Sequence, residues 1–143
     1  MQVPARSALA IAALTANYLK AMKKTVEPRK SGWSKPLEGF VKLNVDASSW
    51  AHSLQGAVGA VLRDQKGGFV AAFNEQLEHV ADAGTAEAYA LRHGLPPAQQ
   101  LGICKLVVES DCLEVINTMQ NGGSTTSGAA AIYSDCLVLV IGY

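Results

Sequence analysis

The chain has 143 residues, 49% hydrophobic and 17% charged, so it can bury a core and carries too little charge for a disordered segment. Twelve basic residues balance twelve acidic ones, and a zero net charge argues against tight nonspecific binding of DNA or RNA, though not against an enzyme that meets its substrate briefly. Cys104, Cys112 and Cys136 are odd in number and form no C-x-x-C pair. They indicate neither a disulfide framework nor a zinc site and fit an intracellular, reducing compartment, nucleus and cytoplasm fitting equally.

Residues 1–26 read as an amphipathic helix. Ala8 to Ala16 is an apolar run too short and Ala-rich to span a bilayer, and it continues into Tyr18, Leu19 and Met22 with Lys20, Lys23 and Lys24 between them. A signal or transit peptide is the alternative. Residues 27–38 hold two prolines, a glycine and scattered charge and read as a linker, so the compact domain spans 39–143. Phe40 to Ala47 alternates, with Val41, Leu43 and Val45 on one face and Lys42, Asn44 and Asp46 on the other, which predicts a strand. Gly56 to Arg63 predicts a second strand and Phe69 to Phe73 a third, joined by a turn at Asp64 to Gly68. The hairpin makes the three an antiparallel meander.

The period then changes. Thr85 is the expected cap of a helix through Ala86 to His93, which Pro96 and Pro97 stop or kink before a last turn to Leu101. Lys105 to Val108 predicts a buried strand. Ser110 or Asp111 is the expected cap of a helix from Cys112 to Gln120, because Asp111 and Glu114 have capping-box spacing. Ala129 to Ile141 is a last stretch, helical or strand-like. Strand–helix–strand after a meander predicts an α/β fold, a mixed sheet with helices packed on it.

Asp46 falls near the end of the first strand, Glu87 in the first turn of the first helix of the domain, and Asp111 where the later strand meets its helix. Such positions converge on one crevice in α/β sheets. Three converging carboxylates suit Mg²⁺ or Mn²⁺, which prefer oxygen ligands. Each acid also has a plain structural use: Asp46 to open a turn, Glu87 to complement the helix dipole, Asp111 to cap a helix.

Five motifs recur in a fixed order: Trp33-x-x-Pro36; Gly39-Phe40-Val41-Lys42-Leu43-Asn44-Val45-Asp46-Ala47-Ser48; Gly59-Ala60-Val61-Leu62-Arg63-Asp64 with Gly67 or Gly68; Ala86-Glu87-Ala88-Tyr89-Ala90-Leu91 with Gly94-Leu95; and Val108-Glu109-Ser110-Asp111-Cys112. Through them the stretch from Trp33 to about Leu139 resembles the plant ribonuclease H-like domain found beside, or derived from, retroelement reverse transcriptases. The resemblance implies an antiparallel three-strand meander followed by α-β-α, in a mixed sheet ordered 3-2-1-4-5. The last strand and helix are expected to be missing, together with a fourth acid and its neighbouring His. Asp135 falls too early to replace that acid, and His52, His79 and His93 are poorly placed for the His. Strand four then becomes an edge open to self-association.

The resemblance further implies that Asp46, Glu87 and Asp111 are metal ligands for two Mg²⁺ or Mn²⁺ ions. They would serve endonucleolytic hydrolysis of the RNA strand of RNA–DNA hybrids. RNA would be told from DNA by contacts to 2′-hydroxyls, with Asn44 and the loop from Ser48 to Gln55 as candidates. The alternative is a catalytically impaired retroelement-derived remnant that keeps the fold and binds nucleic acid or a protein partner.

Overall fold

The computed structural model describes residues 33–141, with side chains as far as Val138; the expected helix over 1–26 lies outside the described residues. Among the described residues the strands β1 (Val41–Trp50), β2 (Gln55–Arg63), β3 (Phe69–Leu77) and β4 (Leu106–Ser110) and the helices α1 (Ala83–Gln100), α2 (Leu113–Gln120) and α3 (Ala130–Ile141) follow one another in the order β1-β2-β3-α1-β4-α2-α3. The sheet is mixed and ordered β3-β2-β1-β4. The meander is antiparallel, and β4 pairs parallel to β1 from Val41 opposite Leu106 to Val45 opposite Ser110. The α/β fold class therefore matches the sequence, and among the described residues β4 pairs with β1 alone.

Alternation explains the layering. Leu43 and Val45 of β1 and Val58, Ala60 and Leu62 of β2 point to one face and are buried. There they meet Ala86, Ala90, Leu91, Leu95 and Ala98 of α1, while Ile132, Tyr133 and Cys136 of α3 extend the same core behind α1. The opposite face carries Lys42, Asn44 and Asp46. Residues 33–37 lie across one end of it, where the Trp33 ring covers Lys42 and Arg63.

Several boundaries depart from expectation. β1 does not end at Ala47: Ser48, Ser49 and Trp50 continue the ladder opposite Ala57, Gly56 and Gln55, because backbone pairing carries the strand after the apolar alternation has faded. β3 likewise runs on to Leu77, opposite Gly56. β4 begins and ends later than expected, at Leu106 and Ser110. The N-cap of α1 is Asp82 rather than Thr85; its carboxylate accepts the Thr85 N–H at 2.7 Å, a bond that holds the carboxyl below its ordinary pKa.

Pro96 and Pro97 do not interrupt α1. A proline inside a helix costs about 3 kcal/mol. The buried stripe Leu91, Gly94, Leu95 and Ala98 nevertheless passes straight through the pair, so packing on the sheet outweighs the lost helical donors. The cap of α2 is Cys112, which makes no side-chain cap bond, and not Ser110 or Asp111. Ser110 Oγ instead accepts the Cys112 N–H at 3.1 Å, closing the turn and leaving the Asp111 carboxylate out of it.

Gly94 marks the closest approach of α1 to the sheet. A Cβ built there would stand 2.9 Å from Val45 Cγ1 and 3.4 Å from Leu43 Cδ2. Val45 is β-branched and cannot swing aside. Gly94→Ala gains about 1 kcal/mol of helix propensity but forces an overpacked contact costing roughly 1–3 kcal/mol. The expected outcome is a net loss of stability, read as a lower urea midpoint; a higher midpoint would show that helix and sheet can separate freely.

Candidate functional site

The register of β1 against β4 places two of the three acids. Val45 opposite Ser110 is the last rung, so Asp46 and Asp111 are the next residues along two parallel neighbours. Such neighbours run about 4.8 Å apart. Both acids are exposed and line one groove of about 380 Å³ on the face away from α1. Its floor is small and apolar (Gly59, Val61, Ala72), and Asn44, Asn74 and Glu109 add polar groups at its sides. Asp46 lies in mid-strand rather than near a strand end, because β1 continues past it to Trp50.

Glu87 arrives from the other direction. It lies in the second turn of α1, not the first, because the helix begins at Ala83. Beyond Ser110 no rung of β4 flanks β1. There Glu87 comes close enough for the Ala47 N–H to favour its charged form and for Asp46 and Asp111 to oppose it. The Ala47 N–H also donates to Asp46 Oδ1 at 2.9 Å, so it lies between two carboxylates. Burial and then the negative charges of Asp46 and Asp111 push the Glu87 carboxyl above its ordinary pKa. Its Oε2 atom is buried and accepts no hydrogen bond.

Among the described residues no three His, Cys, Asp or Glu side chains stand close enough to form a ready cation cage. Carboxylates at close range repel. The chemistry of the three groups is nevertheless of the kind a hard divalent cation takes: all are carboxylates, and one oxygen, Oε2 of Glu87, is buried and without a donor. The remaining candidates fall differently. Ser48 is an exposed strand residue opposite Ala57. Asn44 lines the groove, but both ends of its amide are engaged, with Trp33 and with Glu109. Asp135 lies on α3 and pairs with Arg92 at 3.5 Å. His93, on α1, pairs with Glu75 of β3 at 2.6 Å.

Sequence reasoning gave no role to Lys42 or Glu109. Lys42 is only 1% exposed and forms an ion pair of 2.8 Å with Glu109. The one sequence signal was phase: Lys42, Asn44 and Asp46 share a face, and nothing in the alternation says that this lysine is covered.

Residues 44–140 match the model of a family described as reverse transcriptase-like. No curated protein matches the chain. Among solved structures, RNase H1 from the halophilic archaeon Halobacterium salinarum NRC-1 is similar at a TM-score of 0.66 and 24% identity, over 73% of this chain and 79% of that one. The N-terminal RNase H domain of a Mycobacterium tuberculosis protein is similar at a TM-score of 0.63 and 22% identity, over 70% and 73% of the two chains. LC11-RNase H1, isolated from compost and solved in complex with an RNA/DNA hybrid, is similar at a TM-score of 0.61 and 15% identity, over 70% and 75%. The fold is that of ribonuclease H.

The raised Glu87 pKa gives a signed expectation. Between the ordinary value of 4.5 and the raised one, the folded chain holds a proton that the unfolded chain has released, so stability falls as pH rises through that window. Glu87→Gln removes this loss. In chelator, the variant should melt at a higher temperature than wild type at neutral pH, and its melting temperature should fall less between pH 4 and pH 7. Identical pH profiles would mean that Asp46 and Asp111 do not press on Glu87.

Proposed function

The chain belongs to the reverse transcriptase-like family, and from that premise and its ribonuclease H fold we propose that it is a metal-dependent nuclease cutting the RNA strand of RNA–DNA hybrids. The observation that carries this reading is the buried, unpartnered Oε2 of Glu87, with its carboxyl pressed upward in pKa by Asp46 and Asp111. A desolvated carboxylate facing two others is costly in a structural role. It is useful where a divalent cation will be bound.

Asp46 and Asp111 would hold the ions from the groove side and Glu87 from the helix side. Divalent ions bound there would supply a nucleophilic water at neutral pH and neutralise charge on the leaving 3′ oxygen. The protein's own part is placement. The shallow floor of Gly59, Val61 and Ala72 lets a backbone lie against the sheet, since even a Cβ at Gly59 would meet nothing within 4 Å. Asn74, exposed on β3, stands opposite Gly59 and offers a neutral donor and acceptor to a ribose 2′-hydroxyl. With no excess of basic residues in the chain, attraction of phosphates falls largely to the bound cations.

The test is Mg²⁺-dependent cleavage of a labelled hybrid by the full chain. Asp46→Asn and Asp111→Asn should each lower the rate at least about a hundredfold, since each removes a ligand worth several kcal/mol of transition-state stabilisation. Neither should lower the metal-free melting temperature, because both carboxylates are exposed and Asp111 caps nothing. A folded wild-type chain that leaves the hybrid intact in Mg²⁺ and in Mn²⁺ would count instead for a remnant that only binds.

A further inference from the structure

Three side chains on the open face of the sheet, Lys42, Asn44 and Glu109, form a closed circuit with residues 33–34. The Trp33 indole N–H donates to Asn44 Oδ1 at 2.9 Å. Asn44 Nδ2 donates to Glu109 Oε1 at 3.1 Å. Glu109 Oε2 meets Lys42 Nζ at 2.8 Å. Lys42 Nζ donates in turn to the backbone oxygen of Ser34 at 2.6 Å, next to Trp33, and lies 5.2 Å from the centre of the Trp33 ring.

The circuit leaves little freedom. A buried ammonium must be paired, and Glu109 and Ser34 pair it. The Asn44 amide has one orientation that offers oxygen to an N–H and nitrogen to a carboxylate, so both ends are fixed by their partners. The position of the circuit is what gives it meaning. Asn44 and Glu109 face each other across the parallel pairing of β1 and β4, one rung before its end. Each stands two residues before a carboxylate of the groove, Asn44 before Asp46 and Glu109 before Asp111. β4 has five residues and, among the described residues, β1 as its one strand neighbour, so side-chain contacts add to its hold there.

We propose that Trp33, Asn44, Glu109 and Lys42 are positioning residues that set the spacing of Asp46 and Asp111 for divalent cations. This inference rests on the metal-site reading above and extends it to a segment distant in sequence. None of the four side chains touches the ion. Asn44 is thereby assigned to the scaffold of the site and not to the substrate.

The test is Mn²⁺ titration of the full chain, followed by the electron paramagnetic resonance signal of free Mn²⁺, with no substrate present. Trp33→Phe keeps an aromatic ring at this position but removes the indole N–H that donates to Asn44, together with part of the ring system. It is expected to weaken Mn²⁺ binding about tenfold, the size of effect seen when a ligand loses its outer support. Lys42→Met should do the same from the other side of the circuit. Ile132→Ala, a core truncation on α3, should lower the melting temperature more than Trp33→Phe and leave Mn²⁺ affinity as it was, which separates positioning from general stability. Should Trp33→Phe not fold, Asn44→Ser opens the circuit at its centre while leaving residues 33–34 unchanged, and the same tenfold loss is expected. Wild-type affinity in these variants, alongside loss of binding in Asp46→Asn, overturns the positioning role and leaves the metal site standing. Wild-type affinity in Asp46→Asn overturns the site itself, and the positioning role with it.

Discussion

The parallel pairing of β1 with β4 begins at Val41 opposite Leu106 and stops at Val45 opposite Ser110. Where it stops matters as much as that it forms. A rung more would have paired Asp111 with Asp46, which already stands in the β1–β2 ladder opposite Gly59; a rung fewer would have left Ser110 out of register and Asp111 a residue further from the pairing. Ending where it does, the pairing leaves two carboxylates at neighbouring strand positions, with an opening beside β1 through which Glu87 approaches from the other layer. Gly94 serves the same end from the helix side, because only a residue without a Cβ lets α1 come within contact of Val45.

That arrangement sets local electrostatics against stability. Hydrogen bonding at Ala47 favours ionised Glu87, while burial and the charges of Asp46 and Asp111 oppose it, and opposition wins. A core that buries Leu43, Leu62, Leu95 and Val115 can carry such a strain at its margin. On the proposed reading, a cation bound there would relieve that repulsion, and its binding would be linked to stability through mass action.

The same face shows how side chains add to the hold on β4, which among the described residues has one strand neighbour. Among the described residues backbone pairing secures β4 on one side; Lys42, Asn44 and Glu109 link its end to β1 through side chains, and the Trp33 ring lies over the buried Lys42. A lysine that would cost several kcal/mol if buried alone is tolerated because its partners converge.

Much of this was readable in the sequence. Alternation in Phe40 to Ala47 and the glycines after Asp64 determined a hairpin, the change of period at Thr85 determined a helix, and the order of elements determined a mixed sheet. The order of the motifs led to the ribonuclease H family and so to Asp46, Glu87 and Asp111. Local rules failed where a distant part of the chain supplied the deciding energy. The prolines at 96 and 97 were expected to break a helix, and packing of Leu95 and Ala98 on the sheet kept it whole. Asp111 had the spacing of a cap, yet Ser110 took the turn and left the carboxylate to the groove. Lys42 read only as a member of the face opposite Val41, Leu43 and Val45, and Trp33 and Glu109 cover it. Propensity and period are properties of a few neighbouring residues, so the sequence by itself determined which elements form and which acids they carry. Burial, pairing partners and the mutual pressure of charges depend on residues far apart in the chain, and those the tertiary structure alone decided.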